Sequence, residues 1–288
     1  MRRRSQRRTN AGSWSLRAFV FLYLAVFVVL PLAAAVPPLL REPPSEIWAK
    51  ITAPQAMAAL KLSASASAVG GLINTLLGSM LAWTLVRYRF PLRRVLDALV
   101  DLPFALPGVV AGIALLALYG PASPVGEWIG PDGWFGQALM RVGLPALSLT
   151  GGFAALVFAN LFVTLPFVVR TVQPVIADLE VDVESAAESL GASPTQVFWR
   201  IILPQLSPAI VTGFGLAFAR GVNEYGVAVL VSGNIAFESL VLPVYIFQRL
   251  EVPDYTGATA LAVVLLGMAL GVLLLTYGWA QWRVRRVA

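Results

Sequence analysis

The sequence predicts an all-α membrane protein that crosses the bilayer six times. Of its 288 residues, 58% are hydrophobic and only 12% are charged, and the mean hydropathy is +0.77. A water-soluble domain does not have this composition. The apolar residues are grouped in runs of about 20 residues or more, the length that an α-helix needs to cross a bilayer. The predicted spans are residues 18–40, 62–86, 95–118, 147–169, 209–231 and 258–279.

The first two spans differ in their flanking residues and in their composition. Residues 1–17 hold six arginines. The apolar run that follows is longer than the apolar core of a cleaved signal peptide, so we expect it to remain as a span. A polar loop is predicted over residues 41–61. The second span is rich in serine, alanine and glycine, and such small residues favour close packing between helices in a membrane bundle.

Breaks are predicted in the third span, because it contains Pro103 and Pro107 and proline interrupts a helix. The loop after this span contains Trp128 and Trp134, and tryptophan is typical of the membrane–water interface. The fourth and fifth spans are separated by the longest polar interruption of the chain, at residues 178–208.

The basic residues predict how the chain is oriented. With the N-terminus in the cytoplasm, the inner segments contain fifteen arginines and lysines and the outer loops contain five. This is the asymmetry of the positive-inside rule. Both termini and residues 178–208 are then cytoplasmic. No internal repeat or domain boundary stands out, so residues 1–288 are predicted to form one membrane domain.

Residues 178–208, called the elbow below, predict two short helices joined at a glycine. Asp182 is expected to cap the first helix, and Gly191 follows where a left-handed C-cap residue belongs. Ser193 and the proline after it are typical of the start of a second helix, and Pro204 is expected to stop or bend that helix. The first helix has a narrow apolar face formed by Val183, Ala186, Ala187 and Leu190.

The elbow resembles the cytoplasmic loop of importer-type ABC-transporter membrane subunits. That loop has the pattern Glu-Ala-Ala, three residues, Gly, nine residues, Ile, one residue, Leu-Pro, and every spacing is matched here. The departure is Ser185, which stands where the family has glutamate. The resemblance implies the type I importer permease fold and an elbow that couples to a separate ABC ATPase. An amphipathic hairpin without a partner is the alternative. The residues that the resemblance assigns to the coupling loop are Glu184, Ser185, Ala186, Ala187, Glu188, Gly191, Ile201, Leu203 and Pro204.

Several function classes lack the residues that they need. The chain contains no cysteine and no histidine, which removes disulfides, thiolate sites and the commonest general base and metal ligand. No phosphate-binding G-x-x-x-x-G-K-[ST] motif occurs. We therefore predict no catalytic residue, no metal site and no cofactor on this chain, with ATP and Mg²⁺ held by a partner ATPase. The basic residues lie at the edges of apolar runs, which argues against nucleic-acid binding.

Further segments resemble the sulfate/thiosulfate permease subunits of the T type. They are LPGVVAG at 106–112, LPFVVRTVQP at 165–174, SGNI at 232–235 and DYTGA at 254–258. The resemblance implies a bacterial plasma-membrane importer in which this chain forms a heterodimer with a sister permease subunit. A cytoplasmic ATPase dimer would drive transport, and an external sulfate-binding protein would deliver the anion. Molybdate/tungstate permeases are the nearest alternative. An ATP-independent anion carrier or channel is the alternative from another class.

Two charged residues lie inside the fifth predicted span. Arg220 and Glu224 are four residues apart, close enough to pair on one face of a helix. An ionised side chain at the middle of a span costs about 2.5–3.5 kcal/mol, so such groups normally face a cavity or each other. The family's tract Arg-Ser-Leu-Gly-Glu-Phe-Gly is Arg-Gly-Val-Asn-Glu-Tyr-Gly here. The pair either lines the anion path or fixes helix packing. The candidate anion-path residues are Arg220, Asn223, Glu224, Ser232 and Asn234.

Overall fold

A computed structural model describes residues 10–143 and 148–287 of the chain. Within these two ranges all regular structure is helical, which confirms the predicted all-α class. The helices are α1 (Asn10–Leu24), α2 (Leu30–Ala33), α3 (Val36–Leu39), α4 (Pro44–Ile51), α5 (Pro54–Arg87), α6 (Arg93–Val100), α7 (Leu102–Ala105), α8 (Gly108–Tyr119), α9 (Pro124–Ile129), α10 (Trp134–Arg141), α11 (Phe153–Ala177), α12 (Val181–Ser189), α13 (Pro194–Val197), α14 (Leu203–Val222), α15 (Ala228–Val231), α16 (Leu242–Glu251) and α17 (Tyr255–Val287). Two π-helical turns, Ala25–Val29 and Phe198–Ile202, join α1 to α2 and α13 to α14.

Five helical segments in the described part of the chain are long and apolar enough to cross a membrane. A sixth span results if Gly108–Tyr119 and Pro124–Arg141, which meet at 54°, are taken as one bent element. The protein is therefore a multi-pass membrane protein with five to six spans. The five segments are Leu16–Leu39, Pro54–Arg87, Phe153–Ala177, Pro194–Val222 and Tyr255–Arg285.

The third predicted span is interrupted at its prolines as predicted, and its helices extend from Arg93 to Tyr119 instead of over residues 95–118. The chain forms α6, α7 and α8 in this region. Pro103 lies in the first turn of α7, and Pro107 is the residue before α8. Both positions suit proline, since the first turn of a helix has no intrahelical partner for the missing N–H group. The two prolines thus begin new helices instead of bending one.

Three other boundaries correct the sequence predictions. The predicted loop over 41–61 contains α4 and the first turns of α5. The predicted fifth span, 209–231, is too long at its end, since the helix α14 ends at Val222. Pro204 does not stop its helix. A π-helical turn directly precedes α14, so Pro204 lies in the first turn of α14, where proline is tolerated. The segment Pro194–Val222 is consequently one helix of 29 residues.

The helices α5, α11, α14 and α17 form the centre of the bundle, and α14 packs against the other three. Glycine allows the close approach of α5 and α11. A methyl carbon at Gly70 would lie 2.8 Å from Asn160 Cβ, and one at Gly78 would lie 3.0 Å from Val168 Cγ1. The predicted close packing of the second span on its neighbours is confirmed. The apolar window of Leu16–Leu39, in contrast, has no buried residue.

Candidate functional site

The first helix of the elbow, α12, ends at the predicted glycine. Gly191 has a φ of +87°, and its N–H donates to Glu188 O at 2.9 Å. The N–H of Ala192 donates to Ala187 O at 3.0 Å. Together these bonds make a Schellman motif, which satisfies carbonyl groups at the end of a helix. The predicted left-handed C-cap at Gly191 is confirmed.

The second arm of the elbow starts with a capping box. The backbone N–H of Ser193 donates to Gln196 Oε1 at 2.8 Å, and the N–H of Gln196 donates to Ser193 Oγ at 3.4 Å. The predicted start of a helix at Ser193 is confirmed. The predicted cap at Asp182 is wrong, because Glu180 occupies the N-cap position and Asp182 lies in the first turn. A carboxylate in the first turn still interacts favourably with the helix dipole.

The elbow presents an apolar strip outward. Val183 and Ala186 are exposed, and Leu190 has 90% of its surface accessible. Ala187, by contrast, packs inward on the core beneath the elbow, so the predicted apolar face is divided between two directions. Ser185 is exposed. An exposed apolar patch rimmed by polar residues is typical of a surface that another protein covers.

An ion pair ties α12 to the end of α5. Glu184 accepts a short hydrogen bond from Arg87, and each side chain is only 19% exposed. The Arg87 guanidinium also lies over the Trp83 ring, 4.9 Å from its centroid. Glu184, which directly precedes the position of the family's glutamate, therefore holds the elbow to the bundle. The side chain of Glu188 is exposed.

The last three coupling-loop residues lie at the junction of the elbow with α14. Ile201 packs on the core beneath the elbow and lines a cavity of about 160 Å³ beside Val183 and Glu184. Leu203 and Pro204 are half-buried. These residues connect the elbow to the bundle, whereas the outward strip on α12 is the part available to a partner.

Sequence reasoning missed a clamp that holds α6 against α11. Arg170 binds Asp101 with two hydrogen bonds, Nε to Oδ1 at 2.8 Å and Nη2 to Oδ2 at 2.6 Å. Its Nη1 donates to Asp97 Oδ1 at 2.7 Å and to Gln173 Oε1 at 2.6 Å. The bond from Arg170 lowers the pKa of the Asp97 carboxyl. The available signal was the spacing of four residues between Asp97 on α6 and Asp101, the residue directly after α6.

A second cluster, at the other end of the bundle, was also missed. Lys50 on α4 contacts Glu42 Oε2 at 2.8 Å and Asp254 Oδ1 at 2.9 Å. These bonds raise the pKa of the Lys50 ammonium group. Because Asp254 directly precedes α17, the cluster fixes α4 to the beginning of the last span.

Arg220 and Glu224 form the ion pair that their spacing predicts. Arg220 Nη1 lies 2.6 Å from Glu224 Oε2; the Glu224 side chain is 5% exposed and that of Arg220 is 39% exposed. Glu224 Oε1 accepts a hydrogen bond from the N–H of Val227 at 2.8 Å. Both carboxylate oxygens are thus engaged, and the carboxylate satisfies a backbone group where the chain leaves α14. This bond explains how the helix can end at Val222 inside the bundle.

The break after α14 meets the start of α8. A methyl carbon at Gly108 would lie 3.1 Å from Glu224 Oε1 and 3.2 Å from Gly226 Cα. A side chain at Gly108 would crowd the facing backbone, so glycine favours this close approach. The pair therefore lies where the chain after α14 meets the start of α8.

The other candidate path residues are not gathered around this pair. Asn223 is exposed, and its Nδ2 donates to Ala219 O at 2.7 Å. Ser232 Oγ donates to Asn234 Oδ1 at 3.0 Å, and Asn234 Nδ2 donates to Val229 O at 2.6 Å. Ser232 and Asn234 therefore shape the turn that follows α15.

A small polar chamber lies beside Glu224. Its cavity of about 10 Å³ is lined by Ser67, Asn160 and Gly221 among other residues, which is close to the space that one water needs. A methyl carbon at Gly221 would lie 2.7 Å from Asn160 Oδ1 and 3.3 Å from Ser67 Oγ. These two oxygen atoms converge above the glycine, and neither has a hydrogen-bond partner in the described part of the chain. The described residues include no group of three that could hold a metal ion.

Comparison with known proteins identifies the family. Residues 74–288 match the model of the family described as "Binding-protein-dependent transport system inner membrane component". The chain belongs to this family. The permease is 45% identical over 271 residues to the "Probable sulfate transport system permease protein cysT" of Nephroselmis olivacea, covering 93% of this chain and 89% of that protein. It is 39% identical over 266 residues to the "Sulfate transport system permease protein CysT" of Escherichia coli K12, covering 92% and 91%.

Solved structures share the fold of the permease. A chain of a bacterial alginate ABC transporter in complex with a periplasmic protein matches with a TM-score of 0.71 at 18% identity, covering 98% of both chains. A chain of the MetNI methionine ABC transporter in an inward-facing conformation matches with a TM-score of 0.57 at 14% identity, covering 84% of this chain and 99% of that one. The predicted importer permease fold is confirmed.

Proposed function

We propose that this chain is the membrane permease subunit of an ATP-driven importer of sulfate and thiosulfate. The observation that supports this proposal most directly is its identity of 39 to 45% with sulfate transport system permeases over nine-tenths of the chain. Residues 1–288 act as one membrane domain in a bacterial plasma membrane, with both termini in the cytoplasm. The distribution of arginine and lysine favours this orientation.

The elbow, residues 178–208, is the part that couples the permease to an ABC ATPase dimer. The outward strip of Val183, Ala186 and Leu190 supports this role, because it is apolar and uncovered. The Schellman motif and the Glu184–Arg87 pair give the strip a fixed position on the bundle. ATP and Mg²⁺ belong to the ATPase in this proposal.

A single helix connects the elbow to the Arg220–Glu224 pair. Pro194–Val222 has 29 residues, so it is about 43 Å long at 1.5 Å per residue. Arg220 stands in its last turn, and the second arm of the elbow forms its first turns. A displacement of the elbow by the ATPase therefore moves the pair as well. This continuity is the physical basis that we propose for coupling.

Arg220 and Glu224 lie beside the anion path in this proposal. The arginine is the more exposed partner and attracts the anion, while the carboxylate offsets part of its charge. Weak attraction suits conduction, because an anion that binds tightly is not released. Selectivity would come from an external sulfate-binding protein. A sister permease subunit would complete the path as a heterodimer.

Energetics favour an ATP-driven importer over a channel. A dianion that enters a cell against a membrane potential of 100 mV costs about 4.6 kcal/mol, twice the single-charge value. Through a passive channel, sulfate would therefore reach a much lower concentration inside the cell than outside it. Molybdate and tungstate are also dianions and have the same electrical cost, so experiment must decide among the oxyanions.

The experiment is the ATPase activity of the complex, reconstituted in proteoliposomes with its binding protein, for each oxyanion in turn. We expect sulfate and thiosulfate to stimulate ATP hydrolysis and to be accumulated. Stimulation by molybdate or tungstate without sulfate would contradict the substrate assignment. Sulfate uptake that continues without ATP would contradict the importer mechanism.

A further inference from the structure

A cavity of about 550 Å³ opens between the elbow-side ends of α11, α14 and α17. Thr171 and Val175 line it from α11, and Ala209 and Thr212 line it from α14. The remaining wall is the last part of α17, from Tyr277 to Arg285. The volume is within the range of about 300–1,000 Å³ that is typical of ligand pockets.

The α17 wall has one polar and one apolar row. Tyr277, Gln281 and Arg285 are spaced by four residues, so they follow one another along the same face of the helix. Ala280 and Val284 provide apolar surface next to them. The polarity of the wall therefore increases toward the end of the helix, as does the polarity of a lipid from its acyl chain to its headgroup.

The other walls offer little polar surface. The Thr171 hydroxyl donates to Phe167 O at 2.6 Å, and the Thr212 hydroxyl donates to Pro208 O at 2.8 Å. Both hydroxyl protons are thus used within their own helices. Ala209 and Ala280, which also line the cavity, are buried. Among the described residues that line the cavity, Arg285 is the only charged one and none is acidic.

We propose that this cavity binds one anionic phospholipid. The phosphate lies on Arg285 and Gln281, and one acyl chain follows Val175 and Ala280 into the cavity. An arginine guanidinium is always charged and binds phosphate with two parallel hydrogen bonds. Basic pockets between membrane helices on the cytoplasmic side are known to take anionic headgroups. Because the lipid would touch α14, it would stabilise the helix that joins the elbow to the ion pair.

The test is native mass spectrometry of the assembled transporter from nanodiscs of phosphatidylglycerol or phosphatidylcholine. We expect each copy of this chain to retain one phosphatidylglycerol and no phosphatidylcholine. Arg285→Gln should lower the affinity for phosphatidylglycerol at least tenfold, because it removes the charge-assisted hydrogen bonds to the phosphate. Arg94→Gln is the matched control, because Arg94 is an exposed arginine on α6 outside the cavity. Copurification of the ATPase checks that each variant is assembled.

A second variant tests the position of the acyl chain. Ala280→Trp fills part of the cavity and should abolish retention without any change of charge. Retention in this variant, or an equal loss in Arg94→Gln, would overturn the proposal in favour of non-specific surface attraction. Displacement of the lipid by excess inorganic phosphate alone would show a free-anion site. A wild-type complex that retains no lipid would also overturn the proposal.

Discussion

Replacing Gly191 perturbs the elbow through its backbone alone. The residue has a φ of +87°, and a methyl carbon built on it meets no heavy atom within 4 Å. The β-carbon of a larger side chain therefore causes no clash, and we expect its main cost to be the strain of the left-handed region. That strain is about 1–2 kcal/mol for an ordinary residue, and it is greatest for β-branched valine. Asparagine tolerates the region better.

These values predict a graded series. A strain of one to two kcal/mol changes an equilibrium by about 5- to 30-fold but is well below a typical stability of about 5–15 kcal/mol. We expect Gly191→Val to assemble with the ATPase and to lower the sulfate transported per ATP hydrolysed by about 30-fold. Gly191→Ala should lower it about fivefold, and Gly191→Asn should remain near the wild type. Sulfate uptake and ATP hydrolysis are measured in the same proteoliposomes.

The matched control for this series is Gly267→Ala. Gly267 is also surrounded by open space, but its φ is not in the left-handed region, so coupling should not change. Normal coupling in Gly191→Val would refute the role of the turn. A loss in Gly191→Asn equal to that in the valine variant would show that glycine is needed for a reason other than its backbone angle.

Three further predictions concern the charged clusters and the orientation. Arg220→Gln should destabilise the permease by about 1–3 kcal/mol, because it leaves one oxygen of a buried carboxylate without its partner. Adding Glu224→Gln should restore part of the loss, and strictly additive losses in thermal unfolding would exclude the pair. Arg170 lowers the pKa of Asp97. The stabilisation from this ion pair is therefore fully present above the usual aspartate pKa of about 4, and it is lost as the pH falls from there through the lowered pKa of Asp97. Asp97→Asn should remove that part of the stability change between pH 6 and pH 3, and an unchanged pH profile would contradict the assignment. A cysteine at Ser193 should react with impermeant reagents only from the cytoplasmic side, and labelling from outside would reverse the topology.

The membrane class and the local turn chemistry were predictable because each depends on neighbouring residues. An apolar run of spanning length predicts a membrane helix wherever it occurs. The Gly191 turn and the Ser193 cap follow from positions a few residues apart, and both appear as predicted. The capping role of Asp182 failed because α12 already begins at Val181, so that Asp182 lies inside the first turn of the helix.

The interruptions of the spans depend on contacts that a linear pattern does not contain. Pro204 stays inside a helix because a π-helical turn precedes it. After α14 ends at Val222, the Glu224 carboxylate accepts a hydrogen bond from the N–H of Val227 in place of a backbone carbonyl. The Arg170 clamp joins residues 69 positions apart. Each of these features requires the folded bundle, and together they position the elbow and the ion pair.

The most direct test of the account is whether an ATPase covers the outward strip of the elbow. The chain has no native cysteine, and Leu190 is 90% exposed, so Leu190→Cys provides a single reporter. We predict rapid maleimide labelling of the isolated permease, protection from labelling in the assembled complex, and a cross-link to the ATPase by a short bifunctional reagent. Equal labelling with and without the ATPase, and no cross-link, would contradict the central claim that this elbow couples ATP hydrolysis to sulfate import.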